Sequence, residues 1–165
     1  MKLFRRIGLV LLFLIAVGFF TFRIVSVRHY AGHAPEALNL GRALVYDPGC
    51  SFLWCSGGAL YKFDRDVAGE ISVNGMDWFK SRTDINISKN GKPIGSWEYV
   101  AADDLRISSN TFYEFYPGFY KKRNHHTSKF RKAVKNGNFY LSNQYSQPII
   151  LVIPDEQLVY IGWFD

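Results

Sequence analysis

The chain has 165 residues, of which 48% are hydrophobic, 17% aromatic and 21% charged, a balance that excludes a disordered low-complexity protein and supplies one real core. Two cysteines exclude a disulfide-dense scaffold and a four-cysteine zinc module. The net charge of +6 is polarised along the chain: +5 over residues 1–28, −3 over 29–120 and +4 over 121–165.

Lys2, Arg5 and Arg6 lead into residues 7–22, which carry no charge. That run makes about 24 Å of helix against a hydrocarbon core of about 30 Å. It lengthens to Val27 if Arg23 snorkels to the interface. The expected organisation is a basic lead-in over 1–6, a transmembrane signal-anchor helix over 7–27, a tether over 28–34 and a β-rich domain over 35–165. Two alternatives stand beside it: a buried soluble helix, and a cleaved leader with small-residue exits at Ala16-Val17-Gly18 or Gly32-His33-Ala34. Three cations before the span against two after it favour an inward N-terminus. The expectation is therefore an inner (plasma) membrane protein, single-pass, with its C-terminal domain extracytoplasmic.

Beyond the leader, residues 43–46 and 59–63 read as strands by β-branched and aromatic content. Between them Cys50 and Cys55 are flanked by Pro48-Gly49 and Gly57-Gly58, turn formers that let a chain double back. In an oxidising compartment the pair is expected to form a small disulfide loop, worth about 2 kcal/mol, that presents Phe52, Leu53 and Trp54 on a stiff turn. Unpaired thiols are the alternative.

The alternation in residues 84–88 also reads as a strand. Asn90-Gly91 is a hairpin signal expected to pair it with one containing Trp97 to Val100. Another strand is expected over 111–115, stopped by Pro117-Gly118. A helix is expected with Thr127 or Ser128 as its cap, Phe130, Ala133 and Val134 on its inner face and Asn136-Gly137 at its end. The C-terminal strands fall at 149–153 and 158–163, with a turn at Pro154-Asp155-Glu156. The fold class is α+β: an N-terminal transmembrane helix, then a small, mainly antiparallel β domain with one or two short helices.

The most distinctive surface lies at 113–135. Seven Lys/Arg fall between 121 and 135, and no acid occurs from Phe115 to Pro154. Lys121, Lys122, Arg123, Lys129 and Lys132, beside Tyr113, Tyr116 and Tyr120, form a basic and aromatic stretch suited to an anionic or protein partner. Phe52 and Trp54 are candidate additions. The plain alternative is a solvated face balancing the acidic middle of the domain. Nucleic acid is the weakest reading, and requires an inverted anchor.

His125-His126 has no third ligand at metal spacing and is expected to be a surface pair, with His125 counted in the binding surface. No serine lies in a G-x-S-x-G or S-x-x-K setting. The functional expectation is a non-catalytic extracytoplasmic binding protein, with no cofactor or metal, that contacts an envelope component or protein partner. Its rival is a membrane-tethered enzyme on an anionic substrate, using His125, His126 and Asp103 or Asp104. Asn86-Ile87-Ser88 is a formal glycosylation sequon, relevant only in a eukaryotic secretory pathway.

Overall fold

The computed structural model describes residues 2–47, 57–101, 124–142 and 148–162. The apolar N-terminal stretch forms one helix, α1 (Lys2–Gly32). Residues 9–25 are exposed along its length. Among the described residues it is the one helix long and apolar enough to cross a membrane, and it is compatible with a membrane anchor.

Residues 28–34, expected as a tether, continue this helix to Gly32 and then turn, with His33, Ala34 and Pro35 buried. Three contacts fix the junction. The Tyr61 hydroxyl donates to the Val27 carbonyl. The Asn90 N–H donates to the Gly32 carbonyl at 3.0 Å, and the Lys89 N–H to the Ala34 carbonyl at 2.9 Å. Asn90 comes so close that a Cβ on Gly32 would lie 2.5 Å from its Oδ1, so a larger residue there would require the Asn90 side chain to move.

Among the described residues six strands form one antiparallel sheet: β1 (Leu40–Asp47), β2 (Gly58–Phe63), β3 (Trp97–Val100), β4 (Phe139–Ser142), β5 (Ile149–Ile153) and β6 (Leu158–Gly162). Their spatial order is β1-β2-β6-β5-β4-β3. Among the described residues the α-helices of the domain are α2 (Arg65–Asn74), α3 (Met76–Lys80) and α4 (His125–Asn136). The α+β expectation holds.

Strand alternation sorts the core into two layers. Ile150, Val152, Val159 and Ile161 pack on one face with Ala68 and Ile71 of α2, Trp78 and Phe79 of α3, and the Val27, Tyr30 and Ala31 end of α1. Leu151, Ile153, Leu158 and Tyr160 pack on the other with Phe130, Ala133 and Val134 of α4. Because both faces are covered, β5 and β6 read as continuous apolar runs rather than alternating ones.

Three local expectations are corrected. Residues 84–88 are not a strand: Asp84–Asn86 is a 3-10 turn that buries Ile85, while Ile87 and Ser88 make single bridges to Pro93 and Pro35. The Arg82 guanidinium fastens this turn, donating from Nε and Nη2 to Asp84 at 3.1 and 2.9 Å while lying over the Trp78 ring. That hydrogen bonding holds the Asp84 carboxyl below its ordinary range. Asn90-Gly91 does turn the chain, with Gly91 at φ +73° donating to the Ser88 carbonyl, but β3 pairs with β4, not with this turn.

The third concerns α4, whose cap lies three residues before Thr127, the earlier of the two expected caps. Asn124 is its cap: its Oδ1 accepts from the Thr127 N–H at 2.9 Å, and Thr127 Oγ1 accepts in return from the Asn124 N–H at 3.1 Å. α2 and α3 went unforeseen. The expected strand at 111–115 lies outside the described residues, as does Trp163 at the expected end of the last strand.

Candidate functional site

Of the residues expected to bind, His125, Lys129 and Lys132 are described, and all three lie on α4. Phe52, Trp54, Tyr113, Tyr116, Tyr120, Lys121, Lys122 and Arg123 lie outside the described residues, as do Cys50 and Cys55 of the expected disulfide and Asp103 and Asp104.

α4 is strongly two-sided. Phe130 and Thr127 are buried, whereas His125, Ser128, Lys129, Lys132 and Lys135 are exposed. Lys129 is already engaged: its Nζ lies 3.0 Å from Glu156 Oε2, linking α4 to the turn between β5 and β6. An exposed pair of this kind contributes under about 1 kcal/mol. Arg131 Nη2 donates to Ser128 Oγ at 3.3 Å. Lys132 and Lys135 make no ion pair with a described residue, so they are the cations this face presents outward.

His125 and His126 occupy the first turn of α4, with ring centroids 5.6 Å apart and the planes at 67°. Among the described residues no group of three or more His, Cys, Asp or Glu is placed to hold a metal ion. The other histidines do meet: His29 and His33, one helical turn apart, bring their Nε2 atoms to 3.3 Å, a separation at which one donates and the other accepts. Burial, then the neighbouring His29 and Lys92, lower the pKa of His33 to about 4, so His33 is neutral at pH 7.

A second feature, not foreseen as a site, lies where α1 passes the edge strand β1. One hollow of about 350 Å³ is lined by Phe20, Arg23, Ile24, Val27 and Arg28 of α1 and Ala43, Val45 and Tyr46 of β1. Another of about 340 Å³ lies on the opposite side of Arg23, against Phe19, Phe22, Leu44 and Asn124. At 100° per residue, positions 20, 24, 27 and 28 share one helix face and 19 and 22 the next, so Arg23 is the ridge between the hollows. The sequence signal was available: Arg23 and Arg28 are the first charges after the apolar run.

No family model matches this chain, and no curated protein or solved structure is similar to it.

Proposed function

We propose that this is a single-pass membrane protein that holds a non-catalytic interaction domain against the outer surface of the inner (plasma) membrane. The observation that carries the reading is the continuity of α1. An exposed apolar helix runs without a break into the domain, where Val27, Tyr30 and Ala31 join the core, Asn90 bonds its last residue and Lys89 bonds the turn that follows. A domain mounted this way follows its helix as one body and stays within a short distance of the bilayer.

The contact surface for a protein or anionic envelope partner is the outward face of α4, with Lys132 and Lys135, extended by the basic and aromatic segment at 113–123. Support comes from Lys132 and Lys135, which make no ion pair with a described residue, and from the lack of any acid between Phe115 and Pro154. The N-terminus-in orientation rests on three leading cations against two trailing ones.

A crosslinking capture from intact cells tests the surface. Changing Lys121, Lys122, Arg123 and Lys132 together to Gln is expected to lower partner recovery about tenfold, given about 0.2–1 kcal/mol per surface charge contact. Thermal unfolding of the full chain in detergent should be unchanged. Undiminished recovery refutes the surface. A C-terminal reporter active only outside the cytoplasm tests the orientation, and its silence would bring back the inverted, nucleic-acid-binding alternative.

A further inference from the structure

We infer that the cleft between α1 and β1 is a binding site for one anionic phospholipid of the leaflet on which the domain sits. The proposal rests on the reading that α1 spans a bilayer, and adds a ligand to it.

Position comes first. With the hydrocarbon core ending near Phe22, the helix rises about 6 Å from Arg23 to Val27, within the depth of one headgroup layer. Ala43, Val45 and Tyr46 line the same hollow as Arg23 and Arg28, so the edge of the sheet reaches that level too. The cleft therefore opens onto the layer where phosphates lie, with Phe19, Phe20 and Phe22 at its membrane end.

Chemistry follows. Arg23 and Arg28 line one hollow about 7.5 Å apart along the helix axis. Neither forms an ion pair or hydrogen bond with a described residue. Two cationic side chains lining one hollow repel each other, and an anion bound between them relieves that repulsion. Guanidinium forks match phosphate oxygens in pairs, which favours a phosphodiester over a halide or a lone carboxylate. The remaining walls are apolar: Phe20, Ile24, Val27, Ala43 and Val45.

A cationic mouth above an apolar wall is complementary to a phosphate carrying acyl chains, not to a soluble anion. A net-neutral lipid brings its own cation to the same place and gains less there. At about 350 Å³ the hollow is at the small end of ligand sites, and accommodates a headgroup and the first part of a chain rather than a whole lipid.

The test uses the full-length protein in mild detergent, mixed with equal amounts of phosphatidylglycerol and phosphatidylcholine, with bound lipid read by native intact mass. Wild type is expected to retain one phosphatidylglycerol at least fivefold over phosphatidylcholine. R23Q/R28Q together should remove the preference. Ala43→Leu, which narrows the hollow and keeps both charges, should weaken retention several-fold. Lys80→Gln on α3, a cation outside the cleft, should leave it unchanged.

Glycerol phosphate, the same anion without chains, should not be retained. Its retention at the lipid's level would overturn the lipid assignment. Equal retention of the two lipids by wild type, or a preference that survives R23Q/R28Q, would overturn the site. Flotation with liposomes separates the two levels of the argument. Protein that floats but shows no preference sinks the cleft alone, and protein that fails to float sinks the anchor and the cleft together.

Discussion

The two most apolar stretches of the chain, residues 7–22 of α1 and the β5–β6 pair, meet opposite fates. Leu12 in α1 is 65% exposed, whereas Leu151 in β5 is 0% exposed. Both stretches are apolar on every side, but the strands find cover within the chain, from α4 on one face and from α1, α2 and α3 on the other. The described residues supply no such cover for α1 before Val27. Hydrophobicity alone does not say where burial comes from; the partner surface does. On the reading proposed here, lipid covers the helix and protein covers the sheet.

Truncation breaks the comparison most directly. Leu151→Ala deletes a side chain packed against the α4 layer and should cost about 2–5 kcal/mol. Leu12→Ala should leave unfolding of the domain unchanged within about 0.5 kcal/mol, since Leu12 is 65% exposed and outside the core clusters of the described residues. Denaturation of the full chain in detergent, followed by tryptophan fluorescence, measures both. A Leu12→Ala loss comparable to that of Leu151→Ala would mean that α1 packs on protein and would end the contrast.

The junction between the two regions gives the next effect, which depends on pH. His33 is buried at the end of α1 with its pKa lowered to about 4, by burial first and then by His29 and Lys92. An unfolded chain binds a proton at this site below about 6.5, while the folded protein resists it until about 4. Stability is therefore complete above pH 6.5 and falls as pH drops toward 4, by up to about 1.4 kcal/mol per unit. Thermal unfolding from pH 7.5 to 4.5 should show this slope in wild type, and His33→Gln should flatten it. An equal slope in both proteins would assign the effect to other groups.

The same two regions show which parts of the structure the residues announced. β5, β6 and α4 were legible because long apolar runs and an i, i+3, i+4 face leave few alternatives. α2 was hidden: only Ala68 and Ile71 are buried in its ten residues, Gly69 interrupts it, and its clearest signal is one capping aspartate, Asp64. The alternation at 84–88 misled because Ile85 is buried by a 3-10 turn while Ile87 stays 54% exposed.

Asn90-Gly91 specified a turn but not its partner, since the β3–β4 pairing joins residues some forty positions apart, beyond local turn chemistry. Residues 28–34 were expected as a tether because they lie between the apolar run and the domain; the bonds that Asn90 and Lys89 make to the Gly32 and Ala34 carbonyls could not be seen in that stretch alone. Lys129 was legible as an outward cation but not as one held by Glu156, because that ion pair exists only once α4 lies beside the β5–β6 turn.

The finest probe of how the regions join is a single hydroxyl. Tyr61 projects from β2 into the first core layer, and its O–H donates to the Val27 carbonyl in the last part of α1. Burial raises its pKa above the ordinary value, so the phenol stays protonated and able to donate throughout the neutral range. Tyr61→Phe keeps the ring and its packing and removes only this bond, at a cost of about 1 kcal/mol. The loss should be local: amide exchange should speed up in residues 24–32 while β5 and β6 remain as protected as before. Faster exchange across the whole sheet would mean that Tyr61 supports the core instead of the junction, and unchanged exchange in α1 would mean that packing alone holds the helix to the domain.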